Sequence, residues 1–143
     1  MSDGRILLVE DSENDIELTL AALAKHVANN VDVARDGAEA LDYLYRRGAF
    51  AGRAGAAPVL VMLDLKMPKV DGLEVLRTIK ADPALRRIPV VMLTSSREQR
   101  DLAESYEHGV NAYVVKPVEF EKFTNAVRQL GLFWMLLNEP PPQ

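Results

Sequence analysis

The sequence has 143 residues, enough for one domain with a sizeable core, and its 48% hydrophobic and 27% charged residues are ordinary for a globular protein. The absence of cysteine excludes disulfides, thiolate catalysis and zinc–thiolate sites, and the formal net charge of −4 argues against nucleic-acid binding. No apolar run reaches the roughly 18 residues that span a membrane, and the N-terminus lacks the regions of a secretory signal. We therefore expect a cytoplasmic protein that binds neither nucleic acid nor membrane.

Five apolar runs predict β-strands, and a helical pattern follows each of them. The runs cover residues 5–9, 31–34, 59–63, 89–93 and 112–115. The third run is continuously apolar, which is typical of a strand buried on both faces. Strands that alternate with helices over short connections predict a parallel sheet with right-handed crossovers, in a single domain.

Capping signals mark where the helices begin. Ser12 precedes the first helix, acid-type capping boxes start at Asp36 and Asp71, and a further box starts at Ser96. The Gly- and Ala-rich stretch 48–57 is interpreted as a flexible loop. The side chains predicted to face the core are Ile16, Leu20, Leu23, Val27, Leu41, Leu44, Tyr45, Leu73, Leu76, Ile79, Leu102, Tyr106, Phe120, Phe123, Val127 and Leu130.

Polar residues follow four of the five strands. Glu10 and Asp11 follow the first strand and Asp64 the third, while Thr94 and Lys116 follow the fourth and fifth. In a parallel sheet these ends share one edge, where open α/β sheets bind ligands. If the first and third strands are neighbours, three carboxylates converge there and repel one another unless a cation joins them. Mg²⁺ suits such oxygen ligands, and a carboxylate flanked by Mg²⁺ and a lysine can attack phosphorus.

These motifs together resemble the signature of the receiver domain of two-component response regulators, over about residues 5–130. They are Glu10-Asp11, Asp64-x-x-Met67-Pro68-x-x-Asp71-Gly72, Thr94-Ser95 and Lys116-Pro117. The resemblance implies a flavodoxin-like α/β fold, a doubly wound (βα)5 sandwich whose five-stranded parallel sheet has the order 2-1-3-4-5. It also implies that the chain is a signalling domain rather than an enzyme, and that Asp64 accepts a phosphoryl group from a sensor histidine kinase.

The resemblance further implies a metal site built around the phospho-acceptor. Asp11, Asp64 and the main-chain carbonyl of Lys66 would bind Mg²⁺ directly, whereas Glu10 would act largely through water.

The resemblance also implies which residues contact the phosphoryl group and which form a conformational switch. Lys116 would pair with the phosphoryl oxygens, and its bond to Pro117 would be cis. Thr94 and Tyr113 would form a conformational switch, the threonine moving toward the phosphoryl group and the aromatic ring turning inward.

The C-terminal segment 131–143 is apolar and then Pro-rich, and no output domain is expected. Its apolar part either folds back onto its own domain or forms a partner surface, and the second interpretation is favoured. Together with the long loop before the third strand, it is similar to the single-domain regulators paired with bacterial phytochromes. That likeness implies a bacteriophytochrome kinase and a homodimer through the fourth helix, fifth strand, fifth helix and tail. The tail residues concerned are Phe133, Trp134, Leu136 and Leu137.

Two alternatives stay open at this point. A haloacid-dehalogenase-like phosphatase also uses an aspartate nucleophile with Mg²⁺, but it wants a second aspartate where this chain has Lys66, and no cap domain is visible. A degenerate receiver would serve only as a dimerisation module, and the intact set of site residues argues against that. His26 and His108 are expected to be exposed surface residues rather than phosphotransfer groups.

Overall fold

The structure, a computed structural model, describes residues 4–24, 30–53, 57–65, 67, 70–94, 109–110, 112–116 and 118–129. Five strands form one parallel sheet in the order β2-β1-β3-β4-β5. The strands are β1 (Ile6–Val9), β2 (Val31–Ala34), β3 (Leu60–Asp64), β4 (Val90–Thr94) and β5 (Ala112–Val115). The predicted fold class and strand order are confirmed.

In the described part of the chain, helices lie between β1 and β4 and after β5. They are α1 (Glu13–Ala24), α2 (Gly37–Tyr45), a 3-10 helix (Gly48–Phe50), α3 (Gly72–Ala81) and α4 (Phe120–Gln129). The helix predicted to begin near Ser96 falls on residues outside the described ranges, as do His26 and His108. Within those ranges, no helix is both long enough and apolar enough to cross a membrane.

Alternate residues of the central strands pack against helices on opposite faces of the sheet. Ile6 of β1 lies in one buried cluster with side chains of α1 and α4, and Leu7 lies in another with side chains of α2 and α3. Every residue of β1 and β3 is buried. Burial on both faces explains why these strands have continuous apolar sequences instead of alternating ones.

Side-chain caps fix the start of three helices. The Asp36 carboxylate accepts a hydrogen bond from the Glu39 N–H at 2.7 Å, and Asp71 accepts one from the Glu74 N–H at 3.0 Å. The Ser12 hydroxyl accepts a hydrogen bond from the backbone N–H of the third residue after it at 3.2 Å. Each contact satisfies a donor that has no partner within its helix, so these three predicted N-caps are confirmed, and the one predicted at Ser96 lies outside the described residues.

Of the side chains predicted to face inward from α2, Leu44 is buried and Leu41 packs against the same cluster, but the prediction for Tyr45 was wrong. Tyr45 is exposed (38%), whereas Tyr43 is 1% exposed and donates a hydrogen bond from its hydroxyl to Asp32 at 2.5 Å. Ala40, Tyr43 and Leu44 share the buried face at the i, i+3, i+4 spacing of a helix. Tyr45 lies roughly 100° further around the helix than Leu44, which turns its ring away from the sheet.

The stretch 48–53 has more structure than the flexible loop that the composition indicated. It contains the 3-10 helix, and Arg53 donates hydrogen bonds to the Tyr43 carbonyl from Nε at 3.1 Å and Nη2 at 2.9 Å. The Arg53 guanidinium also lies 4.1 Å from the centroid of the Tyr43 ring. These contacts attach this part of the loop to the C-terminal end of α2.

Candidate functional site

The parallel sheet brings three carboxylates to one edge. Val9 of β1 lies opposite Leu63 of β3, so the residues that follow them, Glu10 and Asp64, are neighbours. One carboxylate oxygen from each of Glu10, Asp11 and Asp64 lies within 4.8 Å of the others. Glu10 and Asp64 are buried and Asp11 is exposed. The three carboxylates therefore meet at this edge, as predicted from the sequence.

Lys116 brings a cation to the same edge. Thr94 lies opposite Val115, which places Lys116 one residue beyond the end of the β4–β5 pair. Its Nζ lies 3.5 Å from Asp64 Oδ1 and donates a hydrogen bond of 2.9 Å to Glu10 Oε1. The side chain is only 11% exposed. The ammonium therefore contacts the carboxylates with little competition from water.

The backbone around Asp64 is held on two sides. The Leu65 N–H donates to the Leu93 carbonyl at 2.9 Å, and the Gly72 N–H donates to the Leu65 carbonyl at 2.8 Å. A Cβ atom at Gly72 would lie 2.2 Å from the Asp64 carbonyl oxygen. Only glycine allows α3 to begin this close to the strand end that carries Asp64.

Burial and neighbouring charges shift the pKa values of the central acid and base. Burial, followed by the negative charge of Glu10, raises the pKa of Asp64 to about 7, and Lys116 only partly opposes the rise. Burial acts to lower the pKa of Lys116, but hydrogen bonds to Asp15 and Glu10 outweigh it and raise that pKa above the ordinary value. The lysine thus stays charged, while Asp64 needs additional positive charge to stay fully ionised near neutral pH.

The structure describes part of the predicted switch and none of the predicted tail residues. The backbone of Thr94 ends β4, and its side chain is outside the description. Tyr113 is half-buried on β5 and packs against the cluster beneath α2 and α3. The remaining predicted site residues lie outside the described ranges: Lys66, Pro117, Phe133, Trp134, Leu136 and Leu137.

Sequence reasoning missed one member of this network. Asp15, which the sequence marked only as an acid in the first turn of α1, accepts a hydrogen bond from Lys116 Nζ at 2.9 Å. The Ser12 cap predicts where Asp15 sits on α1, but no local pattern predicts that a residue about a hundred positions later reaches it.

Comparison with known proteins shows the family to which this chain belongs. Residues 6–128 match the family model described as the response regulator receiver domain. The solved structure of the bacteriophytochrome response regulator AtBRR is 64% identical, with a TM-score of 0.86, and the match covers 94% of this chain and 97% of that one. The curated response regulator Rcp1 from a strain of Synechocystis sp. is 39% identical over 91% of this chain and 88% of its own length.

Two further similar solved structures are of a metal-bound and of a phosphorylated response regulator. One is the Mn²⁺-bound form of Rcp1, 38% identical with a TM-score of 0.77 over 98% of this chain and 99% of that one. The other is the phosphorylated cyanobacterial phytochrome response regulator RcpA, 41% identical with a TM-score of 0.77 over 95% and 99% of the two chains. By family match, fold and site composition, the chain belongs to the response regulator receiver domains, the signalling domains of two-component systems.

Proposed function

We propose that this chain accepts a phosphoryl group on Asp64 from a sensor histidine kinase and passes on the phosphorylated state by protein contacts. The observation that carries the proposal is the meeting of three carboxylates and a buried lysine at the ends of β1, β3 and β5. Glu10 and Asp64 are buried, the Lys116 side chain is only 11% exposed, and burying these charged groups together would be costly for a purely structural module. This favours a phospho-acceptor over a degenerate receiver that only dimerises.

The acidic cluster has the composition of a Mg²⁺ site. Oxygens of Glu10, Asp11 and Asp64 lie within 4.8 Å of one another, and hard divalent cations prefer such ligands. Asp11 and Asp64 are the proposed direct ligands together with the Lys66 carbonyl, and Glu10 is proposed to act through water. Glu10 already accepts hydrogen bonds from Lys116 and from the Ser12 N–H, which fits an indirect role. When bound, Mg²⁺ would supply positive charge that offsets the negative charge of the carboxylates and of an incoming phosphoryl group.

The reaction follows from the position of Asp64. A carboxylate oxygen of Asp64 attacks the phosphorus of a phosphohistidine, forming a P–O bond. The P–N bond breaks, and its electron pair stays on the imidazole nitrogen, which then takes up a proton. Lys116, 3.5 Å from Asp64 Oδ1, neutralises charge on the phosphoryl oxygens as they arrive.

The phosphorylated state is proposed to act through the Thr94 and Tyr113 switch. Tyr113 is on β5, three residues before Lys116, and Thr94 of β4 is paired with Val115 of β5, so both proposed switch residues lie on strands that end beside the site. The similarity to AtBRR and RcpA supports a phytochrome-type kinase as the cytoplasmic partner. We also propose a homodimer through the C-terminal tail and the face formed by the helix predicted near Ser96, β5 and α4.

Intact-mass spectrometry after incubation with acetyl phosphate tests the proposal. The wild-type chain is expected to gain one phosphoryl group with Mg²⁺ and none with excess EDTA, and Asp64→Asn is expected to gain none. Asp42→Asn, which removes an exposed acid that pairs with Arg47, is the matched control and is expected to behave like the wild type. A wild-type chain that stays unmodified with Mg²⁺, or full labelling of Asp64→Asn, contradicts the proposal.

A further inference from the structure

The Lys116 ammonium lies among three carboxylates, and only two of them belong to the metal site described above. Nζ donates to Glu10 Oε1 and to Asp15 Oδ2, each at 2.9 Å, and lies 3.5 Å from Asp64 Oδ1. An ammonium has three N–H donors. With two of them engaged by Glu10 and Asp15, the third remains for the oxygens at Asp64.

Asp15 is itself fixed by the start of α1. Its backbone N–H donates to the Ser12 hydroxyl at 3.2 Å, and the Ser12 N–H donates to Glu10 Oε2 at 3.2 Å. Glu10 and Asp15 both accept from Lys116, which closes a ring of four hydrogen bonds. The ring links the first turn of α1 to the residue that follows β5, and it places both acceptors before any phosphoryl group arrives.

A lysine side chain needs such placement, because its flexible stem has many rotamers whose restriction costs about 2 kcal/mol. One acceptor leaves the ammonium free to rotate about that contact, whereas two acceptors on different elements fix its position. We propose that Asp15 is a positioning residue for phosphoryl transfer, which acts by holding Lys116 so that its third N–H faces the phosphoryl oxygens on Asp64. This inference rests on the proposed function, and it adds a residue of α1 to those proposed to take part in phosphoryl transfer.

The test compares the rate of phosphorylation by acetyl phosphate at saturating Mg²⁺ in several variants of the full chain. Asp15→Ala removes the acceptor and is expected to slow the reaction about tenfold, the size of one lost hydrogen bond to a charged group. Asp15→Asn keeps an oxygen in the same place and is expected to recover most of the rate. Glu13→Ala removes an acid from the same turn of α1 that pairs with Arg35, and it is the control expected to react at the wild-type rate.

Two further measurements separate positioning of Lys116 from general damage. The Mg²⁺ dissociation constant from calorimetry is expected to change less than about twofold in Asp15→Ala, because Asp15 is not a proposed ligand. In a Lys116→Ala background, Asp15→Ala is expected to cause no further loss, because it acts only through that lysine. If circular dichroism shows that Asp15→Ala is unfolded, Asp15→Ser replaces it, because its shorter hydroxyl does not reach Lys116.

The inference is overturned if Asp15→Ala reacts at the wild-type rate, if Asp15→Asn loses as much rate as alanine, or if the loss persists in the Lys116→Ala background. A matching loss of Mg²⁺ affinity also overturns it, because the metal site would then be the cause. Failure of the wild-type chain to become phosphorylated counts against the proposed function instead, so the two failures are distinguishable.

Discussion

Asp64 is placed where its ionised form is costly in the absence of a cation. Its backbone ends β3 inside a doubly covered sheet, and Glu10 lies beside it, so burial and repulsion act in the same direction. Lys116 compensates only in part, because two of its hydrogen bonds go to Glu10 and Asp15. A divalent cation bound at this position would supply the missing positive charge and favour the nucleophilic carboxylate.

The raised pKa of Asp64 predicts how stability depends on pH. The folded protein holds this proton up to about pH 7, whereas the unfolded chain releases it near 3.8, so Asp64 destabilises the metal-free fold increasingly between those values. Asp64→Asn is therefore expected to raise the free energy of unfolding at pH 8 in EDTA by on the order of 2 kcal/mol, with a much smaller gain at pH 4.

Urea denaturation of both proteins at the two pH values measures this difference. Adding Mg²⁺ at pH 8 is expected to stabilise the wild type more than Asp64→Asn. Equal stability of the two proteins at pH 8 in EDTA would show that Asp64 carries no such penalty.

At the scale of elements, the start of α3 fixes the strand end that carries Asp64. A Cβ atom at Gly72 would meet the Asp64 carbonyl oxygen at 2.2 Å and the Leu65 backbone at 2.8 Å. Gly72→Ala is therefore expected to destabilise the fold by about 2–4 kcal/mol and to weaken Mg²⁺ binding, as urea denaturation and calorimetry would show.

Gly52→Ala is the control for that substitution. Among the described residues, no atom other than those of its chain neighbours lies within 4 Å of a Cβ at Gly52, so the stability of Gly52→Ala is expected to stay within about 0.5 kcal/mol of the wild type. A Gly72→Ala protein as stable as Gly52→Ala, with unchanged Mg²⁺ affinity, would show that α3 can shift without disturbing the acceptor.

The elements also show what local sequence can and cannot predict. The caps at Asp36 and Asp71 were predictable because each joins residues only three apart. The buried strands were predictable from their apolar runs, and the meeting of Glu10 with Asp64 followed from the parallel sheet.

Contacts that neither a helix cap nor the strand order fixes were not predictable in this way. The attachment of Arg53 to the Tyr43 carbonyl depends on how the chain turns after α2. Which of Tyr43 and Tyr45 is buried depends on the exact phase of a nine-residue helix, and the sequence pattern fits either tyrosine nearly equally well. The Lys116–Asp15 hydrogen bond likewise joins α1 to the end of β5, and only the assembled sheet reveals it.

At the scale of the whole molecule, one edge of the sheet holds the proposed phospho-acceptor, and the C-terminal tail is the proposed contact between copies of the chain. The apolar residues Phe133 and Trp134 favour a dimer surface on composition alone. The full chain is therefore expected to have the mass of a dimer by light scattering, and a chain truncated before Leu132 the mass of a monomer. A truncated chain that remains dimeric would exclude the tail as the main contact.

The central claim is that Asp64 itself becomes the phosphorylated residue. Borohydride reduces an aspartyl phosphate to homoserine, so treating the phosphorylated chain with borohydride and sequencing its peptides by mass spectrometry locates the acceptor. The account predicts homoserine at position 64 in the sample prepared with Mg²⁺ and intact aspartate there in the sample prepared with EDTA. Homoserine at Asp11 or another acid, or intact Asp64 in a chain that carries phosphate elsewhere, would contradict it.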